Sequence, residues 1–140
     1  MAITLQGQPV LPGKARGLLL VTHMPVSFWG GVNPKTGCIA DPRHELFHQS
    51  VGNRILAFPH GKGSSTGSLM ILELLRIGKA PAAIVNIRTE PILATGPVVG
   101  RYFYKKTFPI INLSKKDFHR LHSGVDARID GRAGTLQLFP

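Results

Sequence analysis

Cysteine is nearly absent: Cys38 is the one thiol in 140 residues. That excludes an internal disulfide, a four-cysteine zinc site and an iron-sulfur cluster held by this chain's own thiols, and it fits a reducing compartment. Long apolar runs are missing too. Stretches such as Leu18 to Val21 fall far short of the roughly 20 residues that cross a bilayer, so no membrane span is expected. The start, Met-Ala-Ile-Thr-Leu-Gln-Gly-Gln-Pro9, has neither the basic segment nor the apolar stretch of a secretory signal, and the expected location is cytoplasmic. Acidic residues are scarce, 7 Asp and Glu against 17 Lys and Arg, for a formal charge of +10.

Such a charge raises nucleic acid as a partner. The bases are scattered, however, with Lys105-Lys106 and Lys115-Lys116 as the longest runs. No arginine-rich arm, RNA-binding aromatic signature or zinc-knuckle spacing accompanies them, so nucleic acid is disfavoured. An anionic substrate or an acidic partner subunit accounts for the charge equally well. With 43% apolar residues, 16 Gly and 11 Pro, the composition is that of one compact domain over residues 1–140, large enough to bury about 68% of its unfolded surface without a staple.

Ile3 to Val10 and Ala15 to Thr22 read as strands on either side of a turn at Leu11 to Lys14. From His23 to Asn53 the pattern is irregular, with Pro25, Gly30-Gly31, Asn33-Pro34, Gly37 and Pro42. An ordered loop well above about 15 residues is expected to be functional or to pack on a partner. Arg54 to Phe58 reads as a buried strand that Pro59 to Gly63 ends. Ser64, Ser65, Thr66 and Ser68 offer cap oxygens before a helix over Leu69 to Ile77, which Gly78 stops. Only Glu73 and Arg76 interrupt its apolar residues, so it is expected to be covered on most sides, by a sheet with or without a second chain. A strand at Ala82 to Ile87, a short helix starting at Pro91, and a strand at Phe108 to Leu113 follow, Pro109 placing that strand at an edge or at its own start. Val125 to Asp130 and Thr135 to Phe139 alternate as a hairpin.

Gly61-Lys-Gly-Ser-Ser-Thr-Gly-Ser68 carries the most chemistry. Glycines admit a ligand to the backbone, and the N-H groups opening the next helix favour an anion there. A serine in that place either caps the helix or presents its oxygen to substrate. The order is not that of a Walker loop, there is no G-x-S-x-G elbow, and the histidines have no H-E-x-x-H spacing, so ATP binding and hydrolysis by this chain alone are disfavoured. Phe28 and Trp29, beside paired glycines, either join the core or wall a substrate pocket or interface. Asp41-Pro-Arg-His44 is a solvated turn or a polar contribution to a site.

Taken in order, Ser27-Phe-Trp-Gly-Gly-Val-Asn-Pro34, Thr36-Gly-Cys-Ile-Ala-Asp41, His44, Gly52-Asn-Arg-Ile-Leu56, Gly61 to Ser68, Ala80-Pro-Ala-Ala83 and Thr89-Glu-Pro-Ile-Leu-Ala-Thr-Gly96 resemble the swivel domain or small subunit of aconitase X. The resemblance runs from about residue 5 to the C-terminus. It implies an α/β chain with the swivelling β/β/α fold of the aconitase superfamily, active as a hydro-lyase only with a large subunit that holds an iron-sulfur cluster, this chain binding no metal. By the same resemblance Ser64 is the base, and Lys62, Gly63, Ser65, Phe28, Trp29, Asp41 and His44 are expected around a small anionic hydroxy acid. The superfamily motif continues with a carboxylate-binding arginine where this chain has Thr66, so Lys62, backbone N-H groups or the partner must replace it. The motifs favour cis-3-hydroxy-L-proline over mevalonate 5-phosphate as substrate. Similar folds carry phosphohistidine elsewhere, with His60 as the candidate here, but serines stand at the helix start instead.

Overall fold

The computed structural model describes residues 2–61 and 65–140. Its elements in chain order are β1 Ile3–Gln6, β2 Gln8–Leu11, β3 Lys14–Val21, β4 Ile55–Ala57, α1 Ser65–Ile77, β5 Ala83–Asn86, α2 Pro91–Tyr104, β6 Ile110–Asn112, α3 Lys115–Phe118, β7 Asp126–Asp130 and β8 Thr135–Phe139.

Strand alternation builds the layers. Side chains of successive strand residues point to opposite faces. Leu19, Ile55, Ala57, Ala83, Val85 and Ile111 therefore enter one core, which they share with Leu5, Ala127, Ile129, Leu136 and Leu138 from β1, β7 and β8. Leu20, Leu56, Ile84 and Ile110 enter a second core with Ile71, Leu74 and Leu75 of α1. A strand apolar on both faces belongs to a sheet covered on both sides. The result is an antiparallel sheet, a mostly parallel sheet and a helical layer, the β/β/α arrangement the sequence led us to expect.

The strands run β1-β8-β7-β3-β4-β5-β6-β2. β3 joins the sheets, since residues 14–18 pair antiparallel with β7 and residues 19–21 pair parallel with β4. The strand expected over Ile3 to Val10 is broken at Gly7. Its halves pair at opposite ends of the strand order, β1 with β8 and β2 with β6. Gly7 lets the chain cross there, because a Cβ would lie 2.2 Å from the Asn112 carbonyl oxygen, and its N-H donates to the Gly134 carbonyl at 2.7 Å.

α2 is longer than the short helix expected, 14 residues despite Pro97 in its interior. Packing on α1 compensates for the lost backbone bond. The helices meet so closely that a Cβ on Gly96 would sit 2.9 Å from Ile71 Cγ2, and one on Gly100 2.6 Å from Leu75 Cδ1. The four-residue α3 escaped the sequence reading. Its marker is local, the Asp117 N-H donating to Ser114 Oγ at 3.2 Å as an N-cap. Pro109 does stand just before its strand, and β6 lies inside the sheet between β5 and β2.

Candidate functional site

β3, β4, β5 and β6 are mutually parallel, so Val21, Ala57, Asn86 and Asn112 end at one edge. α1 and α2 begin at that edge. In sheets of this kind ligands bind beyond the carboxyl ends of the strands.

The turn leading to the glycine-serine segment is fixed from several directions. Ile87 and Arg88 donate their N-H groups to the Pro59 carbonyl at 3.0 and 3.1 Å, and Gly61 forms a parallel bridge with Val26. Asn86, fully buried, donates Nδ2 to the Phe58 carbonyl at 2.8 Å and accepts from Thr89 Oγ1 at 2.9 Å. Asn112 Nδ2 donates in turn to Thr89 Oγ1 at 2.7 Å. A chain of hydrogen bonds thus runs across the ends of β6, β5 and β4, centred on the buried Asn86, and such a network holds its members in one geometry.

The long segment between β3 and β4 is ordered by its own turns and by burial. Val26, Phe28, Val32, Ile39, Leu46 and Val51 enter the core shared with the helices. Thr22 Oγ1 donates to Glu45 Oε1, which also accepts the His23 N-H at 3.2 Å, so the start of the segment is clipped to its middle. The Thr22 hydroxyl, and after it the His23 N-H, holds the Glu45 carboxyl below the ordinary glutamate range. Glu45, His23, His122 and Ser123 face a cleft of about 320 Å³, and the His23 ring stacks on His119 at 5.1 Å.

The residues expected in the site fall into distinct places. Lys62, Gly63 and Ser64 lie outside the described residues. Ser65 is the first residue of α1. Phe28 is buried edge-on against Phe58, centroids 6.2 Å apart, whereas Trp29 beside it is 58% exposed. The pair expected to act together is therefore split, one ring supporting the site from the core and one facing out. Asp41 Oδ1 accepts from the Arg43 N-H at 3.0 Å, and chiefly that bond holds its carboxyl below the ordinary aspartate range. His44 Nδ1 accepts from the Leu46 N-H at 3.1 Å, which leaves Nε2 to donate to the Pro25 carbonyl at 3.1 Å. Both ring nitrogens are thus engaged in holding the loop, and Asp41 and His44 shape the segment from within.

Thr22, Glu45 and Asn86 were missed by the sequence reading. Thr22 ends a strand and Asn86 sits in an apolar one, which was the available signal for Asn86. Nothing local marks Glu45. Among the described residues no three His, Cys, Asp or Glu side chains converge as metal ligands, so a metal or cluster has no fitting ligand set there. No helix among them is long and apolar enough to cross a membrane.

Three comparisons bear on this geometry. The family model for the aconitase X swivel domain matches residues 4–138. The phosphomevalonate dehydratase small subunit of Methanosarcina acetivorans is 36% identical over 138 residues, covering 98% of this chain and 92% of that one. The cis-3-hydroxy-L-proline dehydratase of Hypocrea jecorina is 37% identical over 134 residues, 95% of this chain but 22% of that one. In three dimensions the fold superposes on a crystal structure of Thermococcus kodakaraensis aconitase X in its holo form with a TM-score of 0.88 and 34% identity, over 99% of each chain.

Proposed function

Because the chain belongs to the family of aconitase X swivel domains, we propose that it is the small subunit of a two-subunit dehydratase that eliminates water from a β-hydroxy acid. The observation that carries this reading is the end-to-end similarity to a dehydratase small subunit, 98% of this chain on 92% of that one. The strand-end edge, with its braced turn before residues 62–64, is where the chemistry belongs.

In this reading Ser64 takes the proton from the carbon next to the substrate carboxylate, the hydroxyl leaves from the neighbouring carbon, and a C=C bond and water result. A serine alkoxide is strongly disfavoured in water, so the step needs an electropositive, water-poor pocket. The backbone N-H groups at the start of α1, Lys62 and the +10 net charge favour the anionic form. An iron-sulfur cluster on the large subunit would supply Lewis acidity for the departing hydroxyl. This chain's part is to hold the base, the Gly61 to Ser65 backbone and the carboxylate contact.

For the substrate, full-length similarity to a phosphomevalonate dehydratase small subunit moves the weight to mevalonate 5-phosphate, whose phosphate the basic charge suits. That reverses the order drawn from the motifs. cis-3-Hydroxy-L-proline stays as the second reading on one observation, the 37% identity to the Hypocrea jecorina enzyme, level with the 36% of the small subunit. Purified chain mixed with its large subunit and given each compound tests both. Dehydration of mevalonate 5-phosphate is expected. Turnover of the hydroxyproline alone selects the second reading, and turnover by this chain without a partner overturns the two-subunit reading.

A further inference from the structure

Part of the +10 charge gathers at the other end of the sheet, where β3 starts. Lys14, Arg101, Thr107, Asp130 and Arg132 line a cleft of about 520 Å³ there, a size that suits a small molecule. Its floor is locked backbone. The Gly131 N-H donates to the Gly13 carbonyl at 2.7 Å, and a Cβ on Gly131 would lie 2.8 Å from Pro109 Cβ. The turn before β3, the turn after β7 and the residue before β6 therefore meet without slack. The carboxylate of the lining, Asp130, has Oδ1 engaged by the Arg132 and Ala133 N-H groups, each at 3.1 Å, and makes no ion pair with Lys14, its partner in the strand register. The ion pairs among the described residues use Arg16, Arg43, Arg76, Arg88 and Arg120, and Lys14, Arg101 and Arg132 are in none of them. The C-terminal end of α2 accounts for Arg101 by itself. It does not account for Lys14 and Arg132 facing the same cavity, since like charges brought together repel unless an anion joins them.

We propose that this cleft is a binding site for a phosphate dianion, carried by a small phosphorylated compound. Three cations and one carboxylate leave an excess of two positive charges in the lining, which a dianion balances and a single carboxylate does not. Arg101 and Arg132 each offer a fork of N-H donors to phosphate oxygens, and Lys14 adds a point charge. A free phosphate ion would fill a small part of the volume, so the phosphate is expected to bear an organic remainder. Thr107 Oγ1 donates to the Pro97 carbonyl at 2.9 Å, which leaves its oxygen to accept from a hydroxyl of that remainder. From Lys14 to Val21 the strand rises about 23 Å, so one small molecule does not span the cleft and the strand-end edge. The cleft is a second site.

The full chain, labelled with nitrogen-15, is titrated at constant ionic strength with inorganic phosphate and, separately, with glycerol 3-phosphate, and the backbone amides are followed by NMR. The Lys14, Arg132 and Ala133 amides are expected to shift and saturate, with the ester binding more tightly than the free ion. Arg101→Gln and Arg132→Gln are each expected to raise the Kd at least about fivefold. Arg120→Gln removes the same charge from the Asp117 ion pair beside α3 and is expected to change the Kd less than about twofold, because salt screens a charge outside the cleft. Inorganic phosphate as the tighter ligand would support the dianion site with the free ion as its source. Amides at Lys14, Arg132 and Ala133 that stay unmoved in both titrations would overturn the site, as would shifts confined to Ala57 and Asn86 at the strand-end edge. An equal loss from Arg120→Gln would overturn it too, since the binding would then be diffuse attraction to a basic chain.

Discussion

Asn86 donates its side-chain N-H to the Phe58 carbonyl at 2.8 Å, across the ends of two neighbouring parallel strands. No water reaches that carboxamide, and its oxygen is used by Thr89. Asn86→Ala removes the side-chain donor to the Phe58 carbonyl and the acceptor for the Thr89 hydroxyl, and a buried polar group without a partner costs about 1–3 kcal/mol. Urea unfolding is expected to register a loss of about 2 kcal/mol. Asn86→Asp is expected to lose more, because a carboxylate would face the Phe58 carbonyl. Equal stability of Asn86→Ala and the parent would mean that the turn before residues 62–64 is held by its backbone bonds, those to Pro59 and the Val26–Gly61 bridge, without the carboxamide.

Gly7→Ala tests how the two sheets are tied together. A methyl group there meets the Asn112 oxygen at 2.2 Å, and relief requires β1 or β2 to leave its partner. A loss of about 2–3 kcal/mol is expected, the scale of a strained backbone position. Thermal unfolding followed by circular dichroism measures it.

Glu45 links stability to pH. Its carboxyl is depressed in the folded chain, first by the Thr22 hydroxyl. The unfolded chain therefore binds the proton more readily, and the stabilisation is present above the ordinary glutamate value of about 4.3 and fades as pH falls through the lower folded value. The stability difference between the parent and Glu45→Gln is expected to be constant from pH 6 to 8 and to shrink below about pH 4.5. A difference that instead grew on acidification would contradict the Thr22–Glu45 clip.

Lys105 ends α2 in the left-handed conformation, φ 54°, with its N-H on the Gly100 carbonyl. That region penalises a side chain, and glycine is the usual occupant of such a cap. Lys105→Gly is expected to raise stability by about 0.5 kcal/mol, the relieved strain less the cost of glycine's greater freedom in the unfolded chain. Denaturant midpoints at unchanged slope check this.

What could be read in the sequence follows the range of the interactions. Leu19-Leu20, Ile55-Leu56-Ala57 and Ala83-Ile84-Val85 are apolar on both faces, which announces a covered sheet, and Gly78 marks the end of α1. The division at Gly7 could not be read. It depends on Asn112 and Gly134, both more than 100 residues away in the chain. The same holds for the site. The glycine-serine segment stands out by composition, whereas Glu45 matters through Thr22, 23 residues earlier. His44 is expected near the substrate only through the family resemblance, and on the residues alone it belongs to a turn. Its neighbours Pro25 and Leu46 occupy both nitrogens, which only the folded loop reveals.

Ser64 carries the central claim, and one rate decides it. The small subunit with Ser64→Ala is assembled with the large subunit, assembly is verified by sedimentation, and turnover of mevalonate 5-phosphate or cis-3-hydroxy-L-proline, whichever the parent pair dehydrates, is compared with the parent. Removal of a proton-abstracting group is expected to lower kcat by at least about 10² with assembly and unfolding midpoint unchanged. Near-parental kcat in a fully assembled Ser64→Ala enzyme would contradict the account and leave helix capping as the function of that serine.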